Sequence, residues 1–457
     1  MSDSHFDAAF ELLRAELGDR FMRPGDDGYE SARTPWNLAF DLRPAAVALP
    51  ASAGEVAVVV RAASASGLKV APFAAGHGAG ALAATSDLHD VILCRMTELT
   101  GVEVDPAVRT ARILGGTEWI DVVRAAIPYG LIPLHGSAAD VSAIGYLLGG
   151  GLSFYARRHG LAVNTVRAIE VVTADGQLLR ATADEHADLF WALRGGAGAF
   201  GVVTAVEIDL LPYADVVAGM LAWDYSRAAE VLPAWRDWAA TAPESATTSL
   251  RIMHLPDIPE LPPFLAGRSL ITIDGAIVAD DDEALRILEP LRLLAPEIDS
   301  FHRIPTMDLL GVHMDPPEPS PGIAAHSVLA SLPDEAIAVL LAQTRPETGL
   351  LALELRQLGG QAGVRPPHAG AIGHIEGEFA LFALNAAPTP EMKQRGLVAT
   401  AAAIAAATPW QADSLLVTFI ESATDIHRAY GESVPRLVEL AERYDPKATF
   451  VSARPVR

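Results

Sequence analysis

Lysine is nearly missing from this chain: Lys69, Lys393 and Lys447 stand alone, and arginine carries almost all the basic charge. With a formal charge of -23, the chain lacks the clustered cations that a nucleic-acid or anionic-membrane surface needs, which argues against both partners. Cysteine is reduced to Cys94, so an internal disulfide framework is impossible and a reducing compartment fits. Within Val91-Ile92-Leu93-Cys94 the thiol has no basic partner nearby in sequence and reads as a buried small hydrophobe. No apolar run has the length of a membrane span, and Met1 to Leu17 lacks a basic start followed by an apolar stretch. Phe6, Phe10, Leu13 and Leu17 instead recur at helical spacing, and a cytoplasmic location is expected. No His-Glu-x-x-His or other paired-ligand spacing suggests a metal, no Gly-x-Ser-x-Gly suggests a serine hydrolase, and no Gly-x-x-x-x-Gly-Lys-Ser/Thr suggests a nucleoside triphosphate site.

Half of the residues are apolar and a fifth are charged, the balance of a globular protein. A chain of 457 residues exceeds one ordinary core and suits two or three domains. The pattern from Arg43 runs strand (46–49), helix (52–66, with Val56, Val59, Val60 and Ala63 inward), strand (68–73). Short strands follow at 91–93, 101–105 and 110–114, then a helix over 119–126. Beyond Tyr213 longer elements take over. Strands at 269–277, 350–357 and 376–384, with helices at 281–294 and 334–343, imply an antiparallel sheet covered by helices. Proline-rich loops at 255–264 and 315–322 are candidate walls or lids. A last helix over 434–444 stops at Asp445-Pro446. The expected division is an α+β domain over 1–212 with its core at about 41–212, a second domain over 213–410, and a C-terminal segment over 411–457.

Three glycine-rich loops share the first domain: Ala74 to Gly80, Gly145 to Gly151, and Gly195 to Gly201. Successive backbone N–H groups on small residues make concavities that hold anions. Gly196, Gly198 and Gly201 satisfy Gly-x-Gly-x-x-Gly. That fingerprint binds a dinucleotide only after a strand and at the start of a helix, whereas here a helix precedes and Val202 to Ile208 alternates like a strand. The near-match over Gly78 to Ala83 is set aside similarly, because turn chemistry and another strand follow from Thr85 to Cys94.

The ordered set Gly76-His77, Gly115-Gly116 with Trp119, Gly136 to Gly151, Arg157 to Asn164, Ala174-Asp175-Gly176, Asp188 to Thr204 and Tyr444-Asp445-Pro446 with Phe450 resembles the berberine-bridge-enzyme-like branch of flavoproteins. These carry a vanillyl-alcohol-oxidase or p-cresol-methylhydroxylase (PCMH) type FAD domain. The resemblance implies an α+β architecture: a two-subdomain FAD-binding domain, a substrate domain with an antiparallel sheet covered by helices, and a tail returning to the FAD domain. It implies FAD as cofactor and a small-molecule substrate. By position, Phe73, Ala74, Ala75, Gly76, His77, Gly78 and Ala79 resemble the pyrophosphate loop. Gly136, Ser137, Ala138, Val141, Ser142, Gly145, Gly149, Gly150, Gly151 and Leu152 resemble the cofactor's path. Gly198, Phe200, Gly201 and Val203 resemble the adenine and ribose end. His77 occupies the position often bonded to the flavin 8α carbon, a link that retains the cofactor and makes it a stronger oxidant.

The departures are as informative. The branch usually has an Arg and a further Gly before Gly-His, where this chain has Phe73 and Ala75. Members with two covalent links use a Cys where Ala138 stands, so His77 offers a single link at most. Related oxidases place Tyr after the triple glycine and in a Tyr-x-Asn, where this chain has Leu152 and Leu416-Val417-Thr418. A base beside the flavin must therefore come from elsewhere. Tyr146, His159, His313, His326, His374 and Glu376 are candidates, and His374 and Glu376 are preferred because the resemblance implies that their strand faces the flavin, with alternation putting both on one face. The expected function is an FAD-dependent oxidoreductase that removes a hydride equivalent and passes electrons to oxygen or another acceptor. A non-catalytic flavin-binding protein and a cell-wall-precursor-type FAD reductase are the alternatives.

Overall fold

Ser52 accepts a hydrogen bond from the Glu55 backbone N–H and starts the helix Ala53–Ser66, which ends at Gly67 in the left-handed conformation at φ 79°. A β-carbon strains there, so glycine stops the helix. Val56, Val59, Val60 and Ala63 of this helix are fully buried, and each valine so placed contributes about 1.5–3 kcal/mol. They pack on a four-stranded sheet in the order Phe21–Met22, Ala46–Ala48, Val91–Arg95, Lys69–Phe73. Only the outermost pair of that sheet is antiparallel. The computed structural model describes residues 6–259, 261–422 and 425–457.

A second, antiparallel sheet runs Val102–Asp105, Thr110–Leu114, Val202–Asp209, Val166–Val172, Leu178–Thr182. The turn between its last two strands is held by Asp175, whose Oδ1 accepts from the Gln177 backbone N–H at 3.2 Å. Before Val202–Asp209 comes the helical stretch Ala187–Gly196, the helix-then-strand order read from the third glycine loop. The reading of Gly78 to Ala83 needs correction. A helix, Ala79–Thr85, follows the strand Lys69–Phe73 after a short loop. Its alanines and glycine carry no apolar periodicity, which hid it.

From Asp215 the chain builds an antiparallel sheet of eight strands. Its main path is Ile298–Asp299, Asp215–Asp224, Ser269–Ile277, Ala246–His254, Ala352–Gln357, Phe379–Ala386, Gly322–Leu329. His302–Pro305 also pairs with Asp215–Asp224. Side chains alternate between the two faces. Leu221, Trp223, Leu250, Ile273, Leu353, Leu355 and Leu381 bury one face with residues of the helices Ala228–Thr241, Asp281–Arg292 and Asp334–Gln343. Arg251, Asp274, Glu354, Arg356 and Phe382 take the other parity. The register sets Arg251 between Thr272 and Glu354, and Glu354 beside Phe382. A strongly charged stripe thus crosses a buried sheet.

Two ties join the sheet and the tail to the first part. The Arg157 guanidinium donates to the carbonyls of Leu358, Pro243, Ala246 and Ala242 at 2.6–3.2 Å. Past the helix Val434–Tyr444, Asp445 accepts from the backbone N–H groups of Thr449 and Phe450. Val70 then donates to Thr449 O at 2.8 Å and accepts from Val451 at 2.9 Å. The tail therefore lies along Lys69–Phe73. Among the described residues no helix is long and apolar enough to cross a membrane.

Candidate functional site

A cavity of about 410 Å³ opens where the sheet, the first glycine loops and the returning tail meet. Its floor is the loop from Pro72 to Gly78 with Gly136, Ser137, Ala138, Val141, Ser142, Gly145, Tyr146 and Leu152. Ala324, Arg356, Phe382 and Leu384 of the sheet form the facing wall. Asp315, Pro316, Ser320 and Gly322 of the proline-rich loop close one side, and Thr418, Phe419, Glu421, Ala453 and Arg454 close another.

Several polar atoms in this lining are buried without a hydrogen-bond partner: His77 Nε2, Tyr146 OH, Thr418 Oγ1, Glu421 Oε2 and Arg454 Nε. Each costs stability unless a bound group completes it. The floor also presents bare backbone. A β-carbon on Gly78 would meet nothing nearer than Arg454 Nη2 at 3.8 Å, and one on Gly145 nothing nearer than Ser142 at 3.8 Å.

His77 lies flat on Trp36, ring centroids 4.2 Å apart with 21° between planes. Its Nε2 is 3.7 Å from Asp140 Oδ1, and the Trp36 indole N–H donates to the same carboxylate. Burial lowers the His77 pKa and Asp140 opposes it. Burial thus disfavours the charged ring, and Nε2 makes no hydrogen bond within the protein. At the tail, burial pushes the Glu421 carboxyl up to about 7, against the pull of Arg454. Burial pushes the Tyr146 phenol upward as well, and the Arg356 cation works the other way.

Two of the three glycine loops meet here. Phe73, Ala74, Ala75, Gly76, His77, Gly78, Gly136, Ser137, Ala138, Val141, Ser142, Gly145 and Leu152 all line the cavity, and Ala79 is buried just behind it. Gly149, Gly150 and Gly151 lie outside the lining and support it. β-Carbons there would meet Thr418 at 2.8 Å, Ile372 at 3.5 Å and Tyr146 at 2.4 Å, respectively. Gly198, Phe200, Gly201 and Val203 are also outside. Phe200 and Val203 are buried in the protein core, and β-carbons on Gly198 and Gly201 would meet Pro72 and Val171.

The expected strand over 376–384 begins only at Phe379, because Gly377 turns the backbone at φ 146°. His374 and Glu376 therefore precede the strand and lie outside the cavity lining. They are 3.5 Å apart, with the Glu376 side chain 77% exposed. Of the other candidates, Tyr146 lines the cavity, His313 is buried behind Arg356, and His159 pairs with the Tyr213 hydroxyl at 3.0 Å. Burial lowers the His326 pKa to about 4, reinforced by Arg428 and Arg454. Arg356, Glu421 and Arg454 were missed. Glu354 and Arg356 inside the apolar run 350–357 were the readable sign of the first.

The FAD binding domain family matches this chain over residues 44–182. This segment is an FAD-binding domain. It contains the two loops that floor the cavity and ends before the third. Among curated proteins, (R)-6-hydroxynicotine oxidase of Paenarthrobacter nicotinovorans is 35% identical over 202 residues, 44% of this chain and 43% of that protein. Glucooligosaccharide oxidase of Sarocladium strictum is 29% identical over 238 residues, 51% and 47% of the two. The match thus spans about half the length of these relatives. Among solved structures, a berberine-bridge-enzyme-like protein of Physcomitrella patens superposes with a TM-score of 0.85 at 18% identity, covering 98% of this chain and 99% of that one. 6-Hydroxy-D-nicotine oxidase of Arthrobacter nicotinovorans gives 0.81 at 23%, covering 95% and 96%. The chain has their α+β fold, as the resemblance implied.

The cavity fits FAD. Bare loop backbone can approach a pyrophosphate, and the FAD-binding domain supplies His77 Nε2 while the tail supplies Arg454 Nε, both buried and partnerless. The tail brings Arg454 to this loop, its Nη2 3.8 Å from the β-position of Gly78.

Proposed function

We propose that the protein is an FAD-dependent oxidoreductase that removes a hydride equivalent from a small organic substrate, with oxygen or another acceptor taking the electrons. One observation carries this reading: the loops of the FAD-binding domain, the charged, aromatic face of the sheet and the returning tail enclose one cavity, and the loops and the tail present buried polar atoms with no hydrogen-bond partner. The two curated relatives named above are oxidases, which disfavours a non-catalytic flavin protein or a cell-wall-precursor reductase. The proposal extends to a cytoplasmic protein with an FAD domain over 1–212, a substrate domain over 213–410 and a C-terminal segment over 411–457.

When bound, FAD supplies the hydride acceptor. The loop Pro72 to Gly78 binds and orients it, and His77, stacked on Trp36, offers Nε2 for a single covalent link; Ala138 can form none. The wall of Leu152, Ala324, Phe382, Leu384 and Phe419 excludes water from the substrate. Glu421 accepts the substrate proton. A carboxyl raised to about 7 can hold or release a proton near neutrality, the condition for a general base. His374 and Glu376 are left with no contact to this cavity.

Candidate compounds mixed anaerobically with the holoprotein test the reading: an oxidised substrate bleaches the flavin absorption. Bleaching in wild type, and its slowing in Glu421→Gln with flavin content unchanged, are the expected results. An equal rate in the variant removes Glu421 from the chemistry.

A further inference from the structure

Behind the sheet wall of the cavity lies a network of ionised side chains. Arg251 meets Asp274 at 2.7 Å, and His313 Nδ1 meets the same carboxylate at 2.9 Å. Glu354 accepts from Arg356 Nε at 2.6 Å and lies 3.4 Å from His313 Nε2. All are buried from bulk solvent; Arg356, the most open, has a side chain 17% exposed, toward the cavity.

Burial and Arg251 oppose protonation of His313, yet Asp274, Glu354 and Asp315 outweigh them and raise its pKa to about 9. Burial likewise opposes ionisation of Asp274 and Glu354. Their cationic neighbours, Arg251 and His313 for the first and Arg356 and His313 for the second, pull both below the usual carboxylate range. Arg251, His313 and Arg356 thus face Asp274, Glu354 and, farther off, Asp315, and Arg356 is the cation that reaches the cavity. Its far side borders a void of about 20 Å³ whose polar lining, including Ser137, Ser153, Thr247 and Gln357, is uncharged. Asp315 on the cavity's loop is the remaining nearby anion. It lies 4.0 Å from His313 Nε2 with its side chain 30% exposed, and no hydrogen bond joins it to Arg356.

We propose that Arg356 is a specificity-determining residue and that the substrate carries a carboxylate or similar anionic oxygen group on an apolar or aromatic body. The Arg356 guanidinium lies 5.0 Å from the Phe419 ring, and Phe382 is 5.4 Å from Phe419. The partnerless Tyr146 hydroxyl lines the same cavity. A planar anion can thus take a charge-assisted hydrogen bond from Arg356 while its body packs on two aromatic rings. This inference deepens the proposed function and rests on it for calling the ligand a substrate.

The probes are benzoate, neutral benzamide and cationic benzylamine, each titrated into holoprotein while the flavin absorption is followed. Benzoate should bind most tightly. Arg356→Gln should weaken benzoate about tenfold or more, the scale of one lost charge-assisted bond, and leave benzamide unchanged. That variant should fold, because Glu354 keeps His313 as a cationic neighbour at 3.4 Å. Arg356→Lys should retain the preference, and Asp315→Asn should strengthen benzoate by removing the competing anion. Benzoate binding no better than benzamide in wild type, or as well in Arg356→Gln, overturns the proposal. A change in flavin reduction potential in Arg356→Gln without any change in ligand preference would also overturn it, by assigning the cation to the cofactor. The flavin spectrum of the starting material tests the FAD reading separately. If it shows no FAD, calorimetric titration of the same three compounds still decides the preference.

Discussion

Trp36 and His77 stack with their ring centroids 4.2 Å apart, and Asp140 lies within reach of both nitrogens that face it. The pair fixes the imidazole plane, and the Nε2 that faces Asp140 makes no hydrogen bond within the protein. If that nitrogen bonds the flavin 8α carbon, the denatured wild-type polypeptide carries an FAD-sized mass adduct. His77→Ala loses the adduct, holds FAD dissociably at a lower reduction potential, and keeps part of its activity, because the histidine retains and tunes the cofactor. An unmodified mass for wild-type holoprotein excludes the link.

Glu421 links the cavity to stability. Its folded pKa, about 7 against an ordinary 4.5, means that the folded state holds a proton the unfolded state has already lost. The favourable contribution is complete below pH 4.5 and disappears as pH rises through 7. At pH 8 the buried carboxylate costs up to about 3 kcal/mol. FAD-free Glu421→Gln should therefore be more stable than wild type at pH 8 and comparable at pH 4.5. Denaturant melts at the two pH values measure this, and a constant difference between the proteins contradicts it.

Gly201 and Gly145 should fail differently. A β-carbon at Gly201 would meet Val171 Cγ2 and Val172 O, each at 2.5 Å, so Gly201→Val should cost several kcal/mol through overpacking and backbone displacement. Gly145 borders the cavity with open space at its β-position. Gly145→Val should melt near wild type yet retain little FAD. Circular dichroism melts and flavin-to-protein ratios separate the outcomes; normal flavin in Gly145→Val contradicts the floor assignment.

Cys94 is fully buried and its thiol is pushed up to about 12 by burial. It should resist thiol reagents in the native protein and react only after denaturation. Cys94→Ser should lower stability by about 1–3 kcal/mol by burying a hydroxyl without changing flavin content. Rapid native labelling contradicts the burial.

Much of the fold was legible because local chemistry marked it. The helices Asp334–Gln343 and Val434–Tyr444 and the strands Thr110–Leu114 and Ser269–Ile277 match the expected bounds, each set by a turn residue, proline or clear alternation. The helix Ala79–Thr85 was illegible because alanine and glycine have no polar face to contrast with an apolar one. The cofactor floor was readable as a contiguous glycine pattern. Its walls were not: Arg356, Glu421 and Arg454 come from strands and loops far apart in the chain, and tertiary pairing alone brings them together. His374 and Glu376 precede their expected strand, because Gly377 delays it, and so lose the alternation expected to put them on one face.

The central claim is that this cavity holds FAD. The absorption spectrum of the purified protein, taken before and after acid precipitation and after incubation with added FAD, tests it directly. The account predicts flavin bands in native protein, present as isolated or restored by added FAD, and fixed to the precipitate where His77 is linked. A colourless protein that gains no flavin absorption on incubation with FAD would contradict it.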